Sequence, residues 1–171
     1  MERKTFCLIK PDTQIYRFLE LVGISGEFPY AYVDKLEGGK EYKKKIIYFL
    51  TEQGFIKKFA GSRLSGYRLT AKGKQFLLDS NPSRFTFYLT GSVETNMIRT
   101  EPSRRIRLHK QAETNVIMQQ SGVEIFRDQK PSLLLPQASN ENSHFSCVYY
   151  GSREIKESGV DAVKIKGSRA M

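Results

Sequence analysis

The first candidate functional residues in this sequence are a group of lysines and arginines. Lysine and arginine concentrate between Lys40 and Lys74, where ten of them stand against only Glu41 and Glu52. The whole chain of 171 residues has a formal charge of +10. Such a concentration favours a polyanionic partner, because neutralising phosphates releases the counterions condensed on a nucleic acid. The alternative is a solvated helix face and hairpin that bind nothing.

A second candidate for chemistry is the pair Glu154 and Lys156. Their carboxylate-x-lysine spacing occurs in metal-dependent nucleases, where acidic groups hold magnesium and the lysine steadies the hydroxide or the scissile phosphate. Asp128 is a candidate upstream acid, but such triplets are common by chance and no Pro-Asp precedes Glu154. The sequence therefore predicts no enzyme, no catalytic residue and no metal site. A magnesium-dependent nuclease or a relaxase-like DNA-processing enzyme is the alternative.

His109 and the tyrosines 149 and 150 are the remaining reactive side chains. No serine or cysteine nucleophile accompanies His109 in a recognisable arrangement, so we expect a helix-surface or packing residue rather than a general base. The paired tyrosines lack a His-x-His metal site and are interpreted as strand aromatics. Since the chain also has no glycine-rich phosphate loop, no cofactor is predicted.

The helix that would position the lysines is predicted over residues 40–53. With Ile46 at the centre of its inner face, a turn of about 100° per residue brings Tyr42, Phe49 and Leu50 beside it. The opposite face then carries Lys40, Lys44, Tyr48 and Thr51, with Lys43 and Lys45 at its margins.

Two strands are predicted after Gly54. Residues 61–66 supply the turn chemistry between them. The pairing strand residues are Phe55, Ile56 and Phe59 on one side and Leu64, Tyr67 and Leu69 on the other. Thr70 is an N-capping residue that begins a further helix.

Upstream of these elements, apolar spacing predicts a helix over residues 13–22, a break over residues 23–29, and a short helix over residues 30–36. Helices followed by a hairpin and a closing helix are typical of a winged helix-turn-helix. We therefore expect three helices and a β-hairpin wing in residues 1–82.

This fold would present Lys40, Lys44 and Tyr48 to the major groove of double-stranded DNA. The wing would contact phosphates or the minor groove and so position the protein. Its contact residues would be Lys57, Lys58, Ser62, Arg63 and Arg68. A winged helix that serves as a protein-interaction module is the second alternative.

Residues 83–171 are expected to form a smaller α/β segment, which makes the fold class α+β with two domains. Residues 84–90 alternate like a strand or extended linker, residues 102–121 are predicted to be one long helix, and residues 123–126 and 145–150 are strand candidates. This segment is the candidate surface for a homodimer or another partner. The native chain is expected to continue past Met171.

Cations crowd the first turns of the long helix, where the helix dipole disfavours them. They are Arg104, Arg105, Arg107 and Lys110. A counter-charge from a partner or from DNA is one interpretation, and a solvated basic face is the other.

Two stretches resemble known proteins. Residues 50–56 followed by residues 66–77 look like the wing and closing helix of many bacterial winged-helix regulators. The long helix resembles the pattern Leu-x-His-x-x-Ala-x-x-Asn of the replication-relaxation family of Gram-positive plasmids and conjugative elements. His109, Ala112 and Asn115 match its last three positions, and Leu108 lies directly before the histidine rather than two residues before it. The resemblance implies a protein of a plasmid or mobile element that acts in replication, conjugative transfer or transcriptional control.

The remaining composition favours a cytoplasmic protein. Cys7 and Cys147 have no CxxC spacing, so reduced thiols are expected rather than a disulfide or a metal site. No run approaches the roughly 18 apolar residues that span a bilayer, and the apolar stretch at the N-terminus is too short for a signal peptide. We therefore expect no membrane association.

Overall fold

The computed structural model describes residues 9–90, 100–131 and 147–159. They form an α+β protein whose sheet has three antiparallel strands in the order β1-β3-β2. The chain divides into two compact units, Met1–Ile117 and Met118–Met171, here called unit one and unit two. None of the described helices is long and apolar enough to cross a membrane.

Helix α1 spans Gln14–Ser25, so it begins one residue later and ends three residues later than the predicted helix over residues 13–22. It begins where the Thr13 side chain accepts a hydrogen bond from the backbone N–H of Tyr16. The predicted break over residues 23–29 began too early, because Gly23 lies inside the helix, at a position where a Cβ would approach Leu77 to 3.0 Å. The helix ends instead at Gly26, whose φ of 75° favours glycine.

The next elements are strand β1, Phe28–Pro29, a 3-10 helix over Tyr30–Lys35, and helix α2 over Lys40–Glu52. The predicted short helix at residues 30–36 is therefore 3-10 rather than α-helical, whereas the prediction of α2 is confirmed. One inner-face residue was wrong, since Tyr42 is 47% exposed. Lys43 turns inward instead and donates hydrogen bonds from Nζ to the carbonyl oxygens of Asp34 and Leu36, at 2.8 and 3.0 Å.

Strands β2, Ile56–Gly61, and β3, Leu64–Leu69, form the predicted hairpin. The connection is shorter than residues 61–66, because pairing continues to Gly61 opposite Leu64. Only Ser62 and Arg63 form the tip, with φ angles of 53° and 61°, as in the two-residue turns that match strand twist. On its other side β3 pairs with β1, with Phe28 opposite Tyr67.

Helix α3 spans Ala71–Ser80 and begins at the predicted cap, where the Thr70 side chain accepts a hydrogen bond from Gly73 N–H. Helix α4 follows over Pro82–Leu89 and corrects the prediction of a strand or linker. The Asn81 side chain caps it by accepting from Arg84 N–H, and proline occupies its first turn. Residues Phe85 and Leu89, which looked like an alternating strand, also suit one helical face, and Phe85 is fully buried.

The core of unit one is aliphatic and aromatic. Its hydrophobic side chains with no exposed surface come from α1, β1, α2, the residue before β2, helices α3 and α4, and the later helix over Pro102–Gln120. They are Leu19, Val22, Phe28, Leu50, Phe55, Leu77, Phe85 and Ala112. The rings of Phe18 and Phe28 and those of Phe55 and Phe76 meet edge to face, at 5.3 and 5.2 Å between centroids. This packing joins α2 and the hairpin to α1.

Helix α5 spans Pro102–Gln120, as predicted, and Gly122 follows it with a φ of 72°. Within unit one it is tied to the end of α1, because Asn115 Nδ2 donates to Ser25 Oγ at 3.1 Å. The unit boundary after Ile117 therefore lies further along the chain than the sequence-based boundary after residue 82, since much of α5 packs with the first elements.

Unit two contains a parallel bridge between Glu124 and Val148, a 3-10 helix at Arg127–Gln129, and helix α6 at Ser152–Ser158. The strands predicted over residues 123–126 and 145–150 are represented, among the described residues of unit two, by that single bridge. Residues 145 and 146 of the second strand lie outside the described residues, as do Cys7, residues 91–99 and the tail from residue 160.

Candidate functional site

The outward face of α2 carries the side chains that the sequence assigned to it. Lys40, Lys44, Lys45 and Tyr48 are all exposed, Tyr48 at 69%. Lys44 Nζ pairs with Glu41 Oε1 at 2.7 Å, and this hydrogen bond raises the pKa of Lys44 above its ordinary value. The pair is open to water, which weakens it through screening. An anionic ligand can therefore compete for the lysine at low cost.

The hairpin adds a second exposed basic surface. Lys57 and Lys58 project from β2, and Ser62 and Arg63 form the tip. Lys58 Nζ lies 4.6 Å from the centroid of the Tyr30 ring, a favourable cation–π contact that leaves the ammonium group at the surface. Eight of the ten predicted contact residues are thus exposed on α2 and the hairpin.

The other two predicted contact residues, Lys43 and Arg68, have internal partners. Lys43 is 9% exposed and binds backbone carbonyls, as described above. Arg68 donates from Nε and Nη2 to Glu27 Oε2 at 2.7 and 2.6 Å. Both side chains stabilise the fold, so they are less available to a ligand than their neighbours.

Glu27 is the centre of a buried ionic cluster that sequence reasoning missed. Its carboxylate is fully buried between α1 and β1, and it receives Arg68 on one oxygen. On the other oxygen, Oε1, lie Arg105 Nη2 at 2.6 Å and His109 Nε2 at 2.8 Å. A lone carboxylate in the apolar stretch around Phe28 was the available signal, because buried acids are rarely left without partners.

Arg105 connects α5 to the hairpin through this cluster. Its guanidinium has no exposed surface and donates to the carbonyl oxygens of Phe59 and Leu64, both at 3.2 Å, and to that of Gly61. The counter-charge expected for the cations of α5 is, for Arg105, Glu27 of the same chain. Arg107 and Lys110 are exposed, in agreement with the solvated interpretation.

The protonation of the cluster follows from its hydrogen bonds. Burial alone would raise the pKa of Glu27, but the hydrogen bonds from His109, Arg105 and Arg68, together with the charge of Arg68, lower it to about 2. An ionised carboxylate has no proton to donate, so His109 must donate through Nε2. Every member is satisfied within the protein, which points to a structural role: holding the hairpin against α1 and α5.

The backbone next to Glu27 leaves no room for a side chain at Gly66. A Cβ at this position would lie 2.7 Å from Glu27 Oε1 and 2.9 Å from the carbonyl oxygen of Phe28. Glycine therefore allows β3 to approach the buried carboxylate closely enough for Arg68 to reach it.

The nuclease-like residues of unit two have a different arrangement from that of a metal centre. Glu154 lies in the short helix α6 rather than in a strand, and its two oxygens accept from Lys130 Nζ at 2.8 and 2.9 Å. Asp128 is exposed on a 3-10 turn, and Lys156 is exposed on α6. Within residues 9–90, 100–131 and 147–159, no three His, Cys, Asp or Glu side chains group as a metal site would require.

Tyr149 and Tyr150, the paired tyrosines of the sequence, also lie in unit two. The hydroxyl of Tyr150 donates to the carbonyl oxygen of Pro131 at 2.6 Å, and burial raises its pKa. Tyr149 is 36% exposed.

Comparison of the chain with protein-family models, with curated proteins and with solved structures finds no match. The resemblance to the replication-relaxation family therefore depends on the residues of this sequence alone. Function has to be inferred from the exposed basic surface and from the elements that hold it.

Proposed function

We propose that unit one is a winged helix that binds double-stranded DNA, with α2 in the major groove and the β2–β3 hairpin on the sugar-phosphate backbone. The observation that carries this proposal is the exposure of eight predicted contact residues on these two consecutive elements. They are Lys40, Lys44, Lys45, Tyr48, Lys57, Lys58, Ser62 and Arg63.

The order of elements supports the winged-helix assignment. Helix α1, the 3-10 helix at Tyr30–Lys35 and α2 stand in the positions of the three helices, and the hairpin stands in that of the wing. Strand β1 completes a three-stranded sheet by pairing with β3. The inward Lys43 fixes the start of α2 to the carbonyls of residues 34 and 36, which orients the opposite face of α2 outward.

The two elements have different roles in this proposal. Lysines and arginines that contact phosphates supply affinity without sequence information, whereas base discrimination requires side chains in a groove. Lys40, Lys44 and Tyr48 on α2 are the candidates for base contacts. Arg63 is exposed in the two-residue tip of the hairpin and is the candidate for a phosphate or the minor groove.

We further propose, from the resemblance noted in the sequence, that the DNA belongs to a plasmid or another mobile element. The process served would be replication, conjugative transfer or transcriptional control. Selection of binding sites from the DNA of the host element, followed by footprinting, identifies the target.

The test of DNA binding is a titration of labelled duplex DNA at several salt concentrations. Lys44→Ala combined with Arg63→Ala should weaken binding to every duplex and reduce the slope of log K against log salt by roughly one unit for each lost phosphate contact. Arg107→Ala is the matched control, since Arg107 is an exposed cation of α5 outside the proposed surface. Unchanged binding by the double variant, or an equal loss in the control, contradicts the proposal.

A further inference from the structure

Helix α5 presents a stripe of side chains that nothing in unit one covers among the described residues. Ile106 and Ile117 are 45% and 52% exposed, which is unusual for isoleucine. Between them Lys110 is exposed and Glu113 is partly exposed. The intervals of four, three and four residues place all four side chains along one face of the helix.

The stripe on one helix is complementary to the same stripe on a second, antiparallel helix. The midpoint between Ile106 and Ile117 falls between residues 111 and 112, and so does the midpoint between Lys110 and Glu113. If two copies of α5 lie antiparallel about a two-fold axis at that midpoint, each Ile106 meets an Ile117. Each Lys110 then meets a Glu113.

We propose that this stripe is where a second copy of the chain docks, as an antiparallel pair of α5 helices related by two-fold symmetry. Such an interface is isologous, because the same patch is used by both copies. The four-three-four spacing is that of a coiled-coil seam, whose antiparallel layers combine unlike positions of the repeat. Isoleucine pairs close the two ends of the seam, and opposite charges meet at its centre.

Charge complementarity argues for a second copy as the occupant. Neither Lys110 nor Glu113 has a side-chain ion-pair partner among the described residues. In the pair of helices each acquires one from the other copy. A partner with a wholly apolar or wholly acidic groove would satisfy only one part of the stripe.

The size of the stripe sets the strength of the dimer. From residue 106 to residue 117 a helix rises about 16 Å, so the buried area lies toward the small end of specific interfaces. We therefore expect a dimer that dissociates on dilution. This inference does not depend on DNA binding, and its test uses no DNA.

The experiment is sedimentation velocity of the full chain over a range of concentrations. The wild type should change from monomer to dimer as concentration rises. Lys110→Glu places two carboxylates from each copy at the centre of the seam, and Glu113→Lys places two ammonium groups there. Each should raise the dissociation constant by roughly tenfold or more. Arg107→Glu is the control, because it reverses an exposed charge on α5 outside the stripe and should leave the dimer intact.

Mixing the two single variants provides the decisive measurement. A carboxylate of one copy then faces an ammonium group of the other at both central positions, so the mixture should form a heterodimer at concentrations where each variant alone is mainly monomeric. The double variant Lys110→Glu/Glu113→Lys should likewise dimerise. A wild type that stays monomeric at all concentrations overturns the inference, and so does a dimer that neither single variant weakens or a mixture that fails to associate.

Discussion

Arginines with the same chemistry have opposite environments in two regions of unit one. Arg105 is fully buried, where it joins Glu27 to the carbonyls of the hairpin, whereas Arg63 stands exposed at the hairpin tip. Arg105 lies on α5 and Arg63 in the hairpin, yet the two regions are neighbours, because Arg105 Nη1 donates to the carbonyl oxygen of Gly61, two residues before Arg63. A cation of unit one is therefore structural where the fold buries it against its partners, as with Arg105, and available to a ligand where it stays exposed to water, as with Arg63.

The difference has an energetic origin. Removing an ion from water costs several kcal/mol, and only close, well-oriented partners offset that cost. The exposed lysines and Arg63 keep their hydration and contribute little to stability, so they can exchange water for phosphate. Variants that unfold the protein should accordingly map to the Glu27 cluster, and variants that affect a ligand should map to α2 and the hairpin.

The largest effect is expected from Glu27→Gln. This change leaves Arg105 and Arg68 buried without a counter-ion, which should lower the free energy of unfolding by about 3–5 kcal/mol. Urea denaturation followed by circular dichroism measures it. Glu52→Gln, an exposed amide substitution on α2, is the control and should change the value by less than about 0.5 kcal/mol. Equal losses in the free energy of unfolding for the two substitutions would contradict the claim that the buried carboxylate stabilises the fold more than an exposed one.

The pH dependence of stability should show the same cluster. The pKa of Glu27 is about 2 in the folded protein against an ordinary 4.5. Because the folded pKa is the lower one, the stabilisation is fully present above pH 4.5 and is lost as pH falls toward 2. The loss should be roughly 3 kcal/mol. Denaturation at a series of pH values measures it, and Glu27→Gln should lack this component; parallel curves for the two proteins would contradict the assignment.

A smaller effect is expected from Gly66→Ala. The new methyl group would overlap Glu27 and the carbonyl of Phe28, so β3 has to move away from the cluster, at a cost of about 1–3 kcal/mol. Thermal unfolding at neutral pH detects the change. Gly39→Ala is the matched substitution, since a Cβ at Gly39 meets nothing within 4 Å. Similar losses at the two glycines would show that the close approach at Gly66 is not what stabilises the hairpin.

The smallest effect is expected where the proposed ligand surface is most exposed. Lys57→Ala and Arg63→Ala should each alter the free energy of unfolding by no more than about 0.5 kcal/mol, although both should weaken DNA binding. Parallel measurements of unfolding and of DNA affinity separate the two properties. A loss of stability comparable to that of Glu27→Gln would show that these cations also belong to the structural group.

Local patterns in the sequence predicted most of the elements of unit one. The four-residue and three-residue intervals around Ile46 define α2, Thr70 caps α3, and Pro102 and Gly122 bound α5. Each of these features involves residues close together in the chain, so the element that it marks can be predicted without knowledge of the tertiary structure. Helix α4 was missed because the alternation of apolar and polar residues over 84–90 indicates a strand, although Asn81 followed by Pro82 is typical of a helix start.

The outward face of α2 in the candidate site was also predictable, because helical periodicity alone places Lys44 and Tyr48 on the face opposite the buried Ile46. The inward turn of Lys43 was not, because it depends on the carbonyls of residues 34 and 36. The sequence does not show that the backbone carbonyls of Asp34 and Leu36 will lie next to the start of α2, so it does not show that Lys43 will turn toward them.

The amino-acid sequence by itself determined α1, α2, α3 and α5, the hairpin and the concentration of positive charge, because these depend on residue type and short spacing. Only the tertiary structure decided which cations are buried. Glu27 and Arg105 are 78 residues apart, and no local rule pairs them. Their contact exists because packing brings α1, β3 and α5 together, and a buried carboxylate in that space must be neutralised by whichever cations the fold delivers.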